Sequence, residues 1–136
     1  MDVDEILRWL ERRGTRRNVL GMARYGIHSP RAFGVSMATM TPLVRRLGKD
    51  HAPAASLGKS GWHEARGLAA FVDDPSQVTR LQMNAWARDF DNRAVCDSTC
   101  FHLFDRTRLA WEKASQWAAS RHEFVKRAAF ALMASL

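Results

Sequence analysis

Apolar residues in this chain recur at three- and four-residue spacing, and each such stretch is soon cut off by a glycine, a proline or a capping residue. Val3, Ile6, Leu7 and Leu10 form an i, i+3, i+4, i+7 stripe that stops before Gly14. Met40, Leu43, Val44 and Leu47 form another before Gly48, and Ala65, Leu68, Ala69 and Val72 a third before Asp73-Asp74-Pro75. Further inner faces are read as Met83, Trp86 and Phe90; Trp111, Ala114 and Ala118; and Val125, Ala129 and Leu132. No stretch alternates apolar and polar residues as a half-buried strand would. Such a pattern predicts an all-α chain of eight or nine short helices, with Asp50, Thr79, Asp91-Asn92 and Thr107 supplying helix starts. Pro42 fits only near the first turn of its helix, where an N–H has no helical partner.

Short links force neighbouring helices antiparallel, and helix pairs stacked in series build an α-solenoid. The expected fold is therefore a single domain, 1–136, of HEAT-like antiparallel helix pairs in a short right-handed solenoid. An orthogonal bundle is the competing architecture. The last stretch, 128–136, is apolar around much of its circumference, so its uncovered side is expected to drive self-association or leave the final helix labile.

The formal charge is +7 and is concentrated toward the N-terminus. Residues 1–66 carry twelve Lys/Arg against six Asp/Glu, a balance of +6, and residues 67–136 carry nine against eight. Only four of the 21 basic residues are lysines. Guanidinium forks match phosphate oxygens, so the excess points toward a nucleic-acid backbone. Arg45, Arg46, Lys49 and Lys59 are the leading contacts; a plain solvated basic surface is the alternative.

Other chemistries find no support. His63-Glu64 lacks the second histidine of a zinc-protease helix, no histidines fall at metal-ligand spacing, and no phosphate loop or nucleophile elbow is present. Neither metal nor cofactor is expected. Cys96 and Cys100, four apart, should share one helix face as small buried hydrophobes. The acidic start is unlike a secretory signal, no apolar run is long enough for a membrane span, and a cytoplasmic location is expected.

Three stretches together resemble the DNA alkylation repair family, the HEAT-like-repeat DNA glycosylases. They are Gly21-Met-Ala-Arg-Tyr-Gly-Ile27 with Phe33-Gly34-Val35; Ser60-Gly-Trp-His-Glu-Ala-Arg66 with Leu68-Ala69; and Asp89-Phe-Asp-Asn-Arg-Ala-Val-Cys-Asp97 with Arg127. The resemblance implies binding of double-stranded DNA in a basic concave groove and hydrolysis of the N-glycosidic bond of purines alkylated at N3 or N7. It assigns the catalytic carboxylate to Asp97, the backbone-holding arginine to Arg127 and a groove aromatic to Tyr25. A carboxylate there stabilises the cationic sugar of the transition state. On an unbroken helix Asp97 would lie within about 20° of Phe104 and 40° of Phe101. The Glu64/Arg66 pair is read as structural, each residue finding a partner elsewhere, because i, i+2 side chains do not meet on a helix.

Departures from the family are equally specific. Arg93 stands where a lesion-flanking Trp is usual, and Gly58 where another Trp is usual. The sequence stops after the helix carrying Arg127, where the family adds further helix pairs. A DNA-binding protein with impaired glycosylase activity is therefore expected; the alternative is a non-catalytic helical-repeat module that binds nucleic acid or protein.

Overall fold

The computed structural model describes residues 1–136, and every regular element is helical. The chain forms two compact units, residues 1–73 and 74–136.

The first unit holds α1 (Val3–Arg13), α2 (Arg16–Ala23), α3 (Met37–Leu47), α4 (His51–Lys59) and α5 (His63–Val72). Asp2, Thr15 and Ser36 cap the first three helices, accepting from the N–H of Glu5, Asn18 and Thr39 at 2.8, 3.1 and 3.2 Å. The α4–α5 hairpin is its centre, with α1 against α4 and α3 against α5. Ile6, Leu10, Leu43, Leu57, Leu68 and Val72 are fully buried. Asp50 precedes α4 but makes no side-chain cap; its N–H instead donates to the Val72 carbonyl at 2.7 Å. Because α3 begins at Met37, Pro42 falls inside the helix and not in its first turn. The carbonyl four residues back belongs to exposed Ala38, where water can take the bond that proline cannot make.

The segment 31–35 is extended and held from two sides. On one side the N–H of Thr15 and the Asn18 amide both donate to the Gly34 carbonyl at 3.1 Å. Only glycine fits at this crossing. A Cβ on Gly14 would lie 2.1 Å from the Phe33 carbonyl oxygen. Gly34 has φ +82°, and its Cβ would lie 2.2 Å from the Thr15 oxygen. On the other side the buried Glu64 carboxylate accepts from three successive N–H groups, those of Phe33 (2.9 Å), Gly34 (2.9 Å) and Val35 (3.2 Å). The N–H of His63 donates to the Arg31 carbonyl at 2.9 Å. The N–H groups of 33–35 are the separate partner that Glu64 was expected to need.

The second unit holds a 3-10 turn (Pro75–Gln77), α6 (Arg80–Asp89), α7 (Arg93–His102), a second 3-10 turn (Phe104–Arg106), α8 (Ala110–Trp117) and α9 (Glu123–Ser135). Thr79 and Asn92 cap α6 and α7 as expected, at 3.1 and 3.0 Å. Thr107 does not cap α8; its hydroxyl donates to the Phe104 carbonyl at 2.8 Å. The core is aromatic: Phe104 is fully buried, with the rings of Trp86, Phe90 and Trp117 centred 5.9–6.3 Å away.

Two expectations fail here. Trp111 is 66% exposed, and the buried side of α8 is Ala110, Lys113, Ala114 and Trp117. Trp117, donating to the Asn84 amide oxygen at 3.3 Å, sets the phase of the helix. Lys113 then falls inward and is tolerated because its Nζ reaches the Gln116 amide oxygen at 3.0 Å. Phe104 is likewise not beside Asp97. The helix breaks at Leu103 (φ −131°, ψ −61°), and the 3-10 turn carries Phe104 into the core.

Candidate nucleic-acid interface

Hydrogen bonds from the two cysteines fix the register of α7 against α9. Cys96 Sγ donates to the Phe124 carbonyl and Cys100 Sγ to the Ala128 carbonyl, at 3.5 and 3.7 Å. Both partners advance by four residues, so the two helices run parallel, as the equivalent helices of successive pairs must. Both thiols are buried and free. The hydrogen bond with Cys96, and then burial, push the Cys100 thiol well above the ordinary cysteine range.

This register brings Asp97 and Arg127 together. Arg127 Nε donates to Asp97 Oδ1 at 2.8 Å and Nη2 to Oδ2 at 2.7 Å, a two-point fork in which both carboxylate oxygens are engaged. The pair is partly open to solvent, the side chains being 29% and 40% exposed. The carboxylate holds the guanidinium proton more tightly, raising the Arg127 pKa. Arg93 lies one helical turn before Asp97 and is exposed; Phe101 lies one turn after and is 40% exposed. Glu123, exposed one turn before Arg127 on α9, is level with Arg93 in this register, so two guanidinia and two carboxylates share this face.

In the first unit the exposed basic residues are numerous, and nine of them lie in one acid-free interval of the sequence. No Asp or Glu occurs between Glu11 and Asp50, while Arg12, Arg13, Arg16, Arg17, Arg24, Arg31, Arg45, Arg46 and Lys49 all fall in that interval and all are exposed. This acid-free run was readable in the sequence and is a sharper signal than the half-chain charge balance. Arg45, Arg46 and Lys59 stand in solvent as expected. Lys49 is committed locally, its Nζ donating to the Phe71 carbonyl in the last turn of α5 at 2.6 Å. Tyr25, in the turn after α2, is 77% exposed, so its ring serves neither packing nor capping. No three His, Cys, Asp or Glu side chains gather into a metal-binding group, and no helix is long and apolar enough to cross a membrane.

The profile of the DNA alkylation repair enzyme family matches residues 6–136. The chain belongs to the DNA alkylation repair family. A solved structure from proteins related to the HEAT-like repeat DNA glycosylases, with affinity for branched DNA structures, matches with a TM-score of 0.87 and 22% identity. The match covers 98% of this chain and 56% of that one, so this family member spans little more than half the length of its structural neighbour. At that identity the likeness establishes the fold, all-α and HEAT-like. No curated protein matches the sequence. Phe33-Gly34-Val35 and the stretch 60–66, two of the pieces that resemble the family, are tied together by Glu64, so those family-like residues hold the fold.

Proposed function

We propose that this family member binds DNA through the phosphodiester backbone and that its capacity to excise alkylated purines is weak. The observation that carries the reading is the run of nine exposed basic residues between Glu11 and Asp50 with no acid among them. Each phosphate neutralised by such a residue releases counterions, which makes affinity strong at low salt and independent of sequence. Tyr25, exposed within the basic run, offers a ring to sugar or base. The family relation and the structural neighbour's affinity for branched DNA extend the candidate ligands from alkylated duplex to junctions, and a cytoplasmic location fits such substrates.

Weak excision follows from the charge at Asp97. Cleavage of the glycosidic bond places positive charge on the sugar, and a free carboxylate beside it lowers the barrier. Here Arg127 already engages both oxygens, and Arg93 adds a repulsive charge one turn away. The fork would have to open, with Arg127 passing to a phosphate, before Asp97 could act.

Binding is tested by fluorescence anisotropy of a labelled duplex and a four-way junction across a salt series. The expected result is sequence-independent binding that falls steeply with salt and weakens when Arg16, Arg17, Arg45 and Arg46 are replaced by Ala. No binding at about 50 mM salt, or full affinity in the quadruple variant, refutes the reading. Base release from methylated duplex, compared with Asp97→Asn, tests the second half; robust turnover by the chain as it stands refutes weak excision.

A further inference from the structure

A cleft of about 240 Å³ in the first unit is lined by Asp4, Leu7, Arg8 and Glu11 of α1 together with Phe33 and Trp62. Its aromatic wall is rigid. The rings of Phe33 and Trp62 stack at 3.9 Å with planes 9° apart, and the Arg31 guanidinium lies 5.1 Å from the Trp62 ring centre. The Glu64 carboxylate grips the Phe33 N–H, and Trp62 directly precedes α5. Both halves of the stack therefore hang on the clasp that closes this unit, and the wall is formed before any ligand arrives.

The rim is chemically specific. Asp4, Arg8 and Glu11 fall on one stripe of α1 at i, i+4 and i+7, all exposed. The lining holds two carboxylates, Asp4 and Glu11, and one guanidinium, Arg8, so it does not favour a simple anion and offers paired acceptors beside one donor group. A neutral flat ring with donors and acceptors on one edge suits it. The volume lies just below that of ordinary small-molecule pockets, which fits one heterocycle and not a nucleotide chain.

We propose that this cleft takes an unpaired guanine base. Guanine alone among the DNA bases presents two adjacent N–H donors, N1–H and the N2 amine, which a single carboxylate can accept together. Its O6 lies beside them and accepts from an arginine. Adenine turns a lone pair toward the carboxylate at that position. Leu7, Phe33 and the part of Trp62 left uncovered by Phe33 and Arg31 give the ring apolar walls. The edge being read is covered in a duplex and free at a junction, gap or fray, so the role of the cleft in DNA rests on the DNA-binding reading above.

The test is an NMR titration of the full chain with guanosine, inosine and adenosine 5′-monophosphates, paired with anisotropy of oligothymidine with and without one central guanine. Guanosine monophosphate should shift the Trp62 indole N–H and the Leu7 and Phe33 amides. Inosine monophosphate, lacking the N2 amine, should bind about tenfold more weakly. The guanine-containing strand should bind about tenfold more tightly than oligothymidine. The Asp4→Asn/Glu11→Gln double variant, altering exposed residues only, should abolish both preferences. Equal affinity for the guanosine and inosine nucleotides, shifts confined to other residues, or equal affinity for the two strands would overturn the proposal. A guanosine preference that persists while no oligonucleotide binds would keep the cleft as a guanine site and overturn only the DNA-binding reading.

Discussion

Replacing Glu64 by alanine removes the acceptor of three consecutive backbone N–H groups at once. Gly34 and Val35 are buried and Phe33 is half-buried, so water can re-satisfy at most one of the three. A buried N–H left without a partner costs roughly 1–3 kcal/mol, and hydrogen bonds to a charged acceptor are the stronger kind. Two such orphans, less some relaxation of the 31–35 segment, give an expected loss of about 3–5 kcal/mol. That is a large part of the roughly 5–15 kcal/mol by which domains are stable. Glu64→Gln keeps one acceptor oxygen but turns an NH2 toward an N–H, so about 2 kcal/mol should be lost. Equilibrium urea unfolding, followed by helical circular dichroism, measures both. Tryptophan emission should also shift to the red in the Ala variant as Phe33 leaves Trp62. A Glu64→Ala protein within about 1 kcal/mol of the parent would refute the clasp as the tie that holds this unit.

Gly34→Ala should destabilise the same unit, because φ +82° and a Cβ 2.2 Å from a backbone oxygen admit no side chain; thermal unfolding reads it directly. Glu112 titrates below the ordinary glutamate value because Arg80 donates to it at 2.7 and 2.9 Å, and no comparable bond survives unfolding. A depressed carboxylate pKa contributes stability above the unfolded value that fades as pH falls through the folded one; NMR titration should show the low value, and Arg80→Ala should restore it. Along the outer side of α9, Phe130, Met133 and Leu136 are 56%, 41% and 43% exposed, so concentration-dependent self-association is expected and should weaken in Phe130→Ser. Sedimentation showing the same monomer at all concentrations would dispose of it. Arg93→Trp should raise base release from a low starting point without making it efficient, since the Arg127 fork on Asp97 remains; no gain in a folded variant would remove the repulsion argument.

Helix spacing was legible because it is local, and so were two of the four expected caps. Thr79 and Asn92 cap where their side chains can reach an N–H three residues on, and the stripes through Leu68 and Leu132 are buried as their spacing requires. The failures share one cause, competition decided by tertiary packing. Trp111 lost the interior to Lys113 because Trp117 fixed the rotation of α8, and no local rule ranks two tryptophans seven and one positions into a helix. Phe104 left the face of Asp97 because the core needed an aromatic more than α7 needed another turn. The Asp97–Arg127 fork was illegible for a different reason. Thirty residues separate the partners, and their meeting depends on the parallel register that the cysteine contacts set.

The residues that resemble the family therefore divide by what they do. Those near the N-terminus hold the chain together: Gly34 admits a crossing, and Glu64 ties 33–35 to α5. They can persist whatever the protein does to DNA, since losing them costs the fold. In the proposed reading the residues near Asp97 bear on chemistry, and there Arg127 already engages both oxygens of the carboxylate. Arg93, one turn from Asp97, puts a guanidinium near where a cationic sugar would have to form, and a guanidinium also attracts a phosphate. In that reading its charge is what separates binding from excision. A surface can keep every attraction for the DNA backbone while opposing the one charge that glycosidic cleavage creates. Restoring catalysis would then require releasing Asp97 from its fork as well as removing Arg93, so Arg93→Trp alone should fall short.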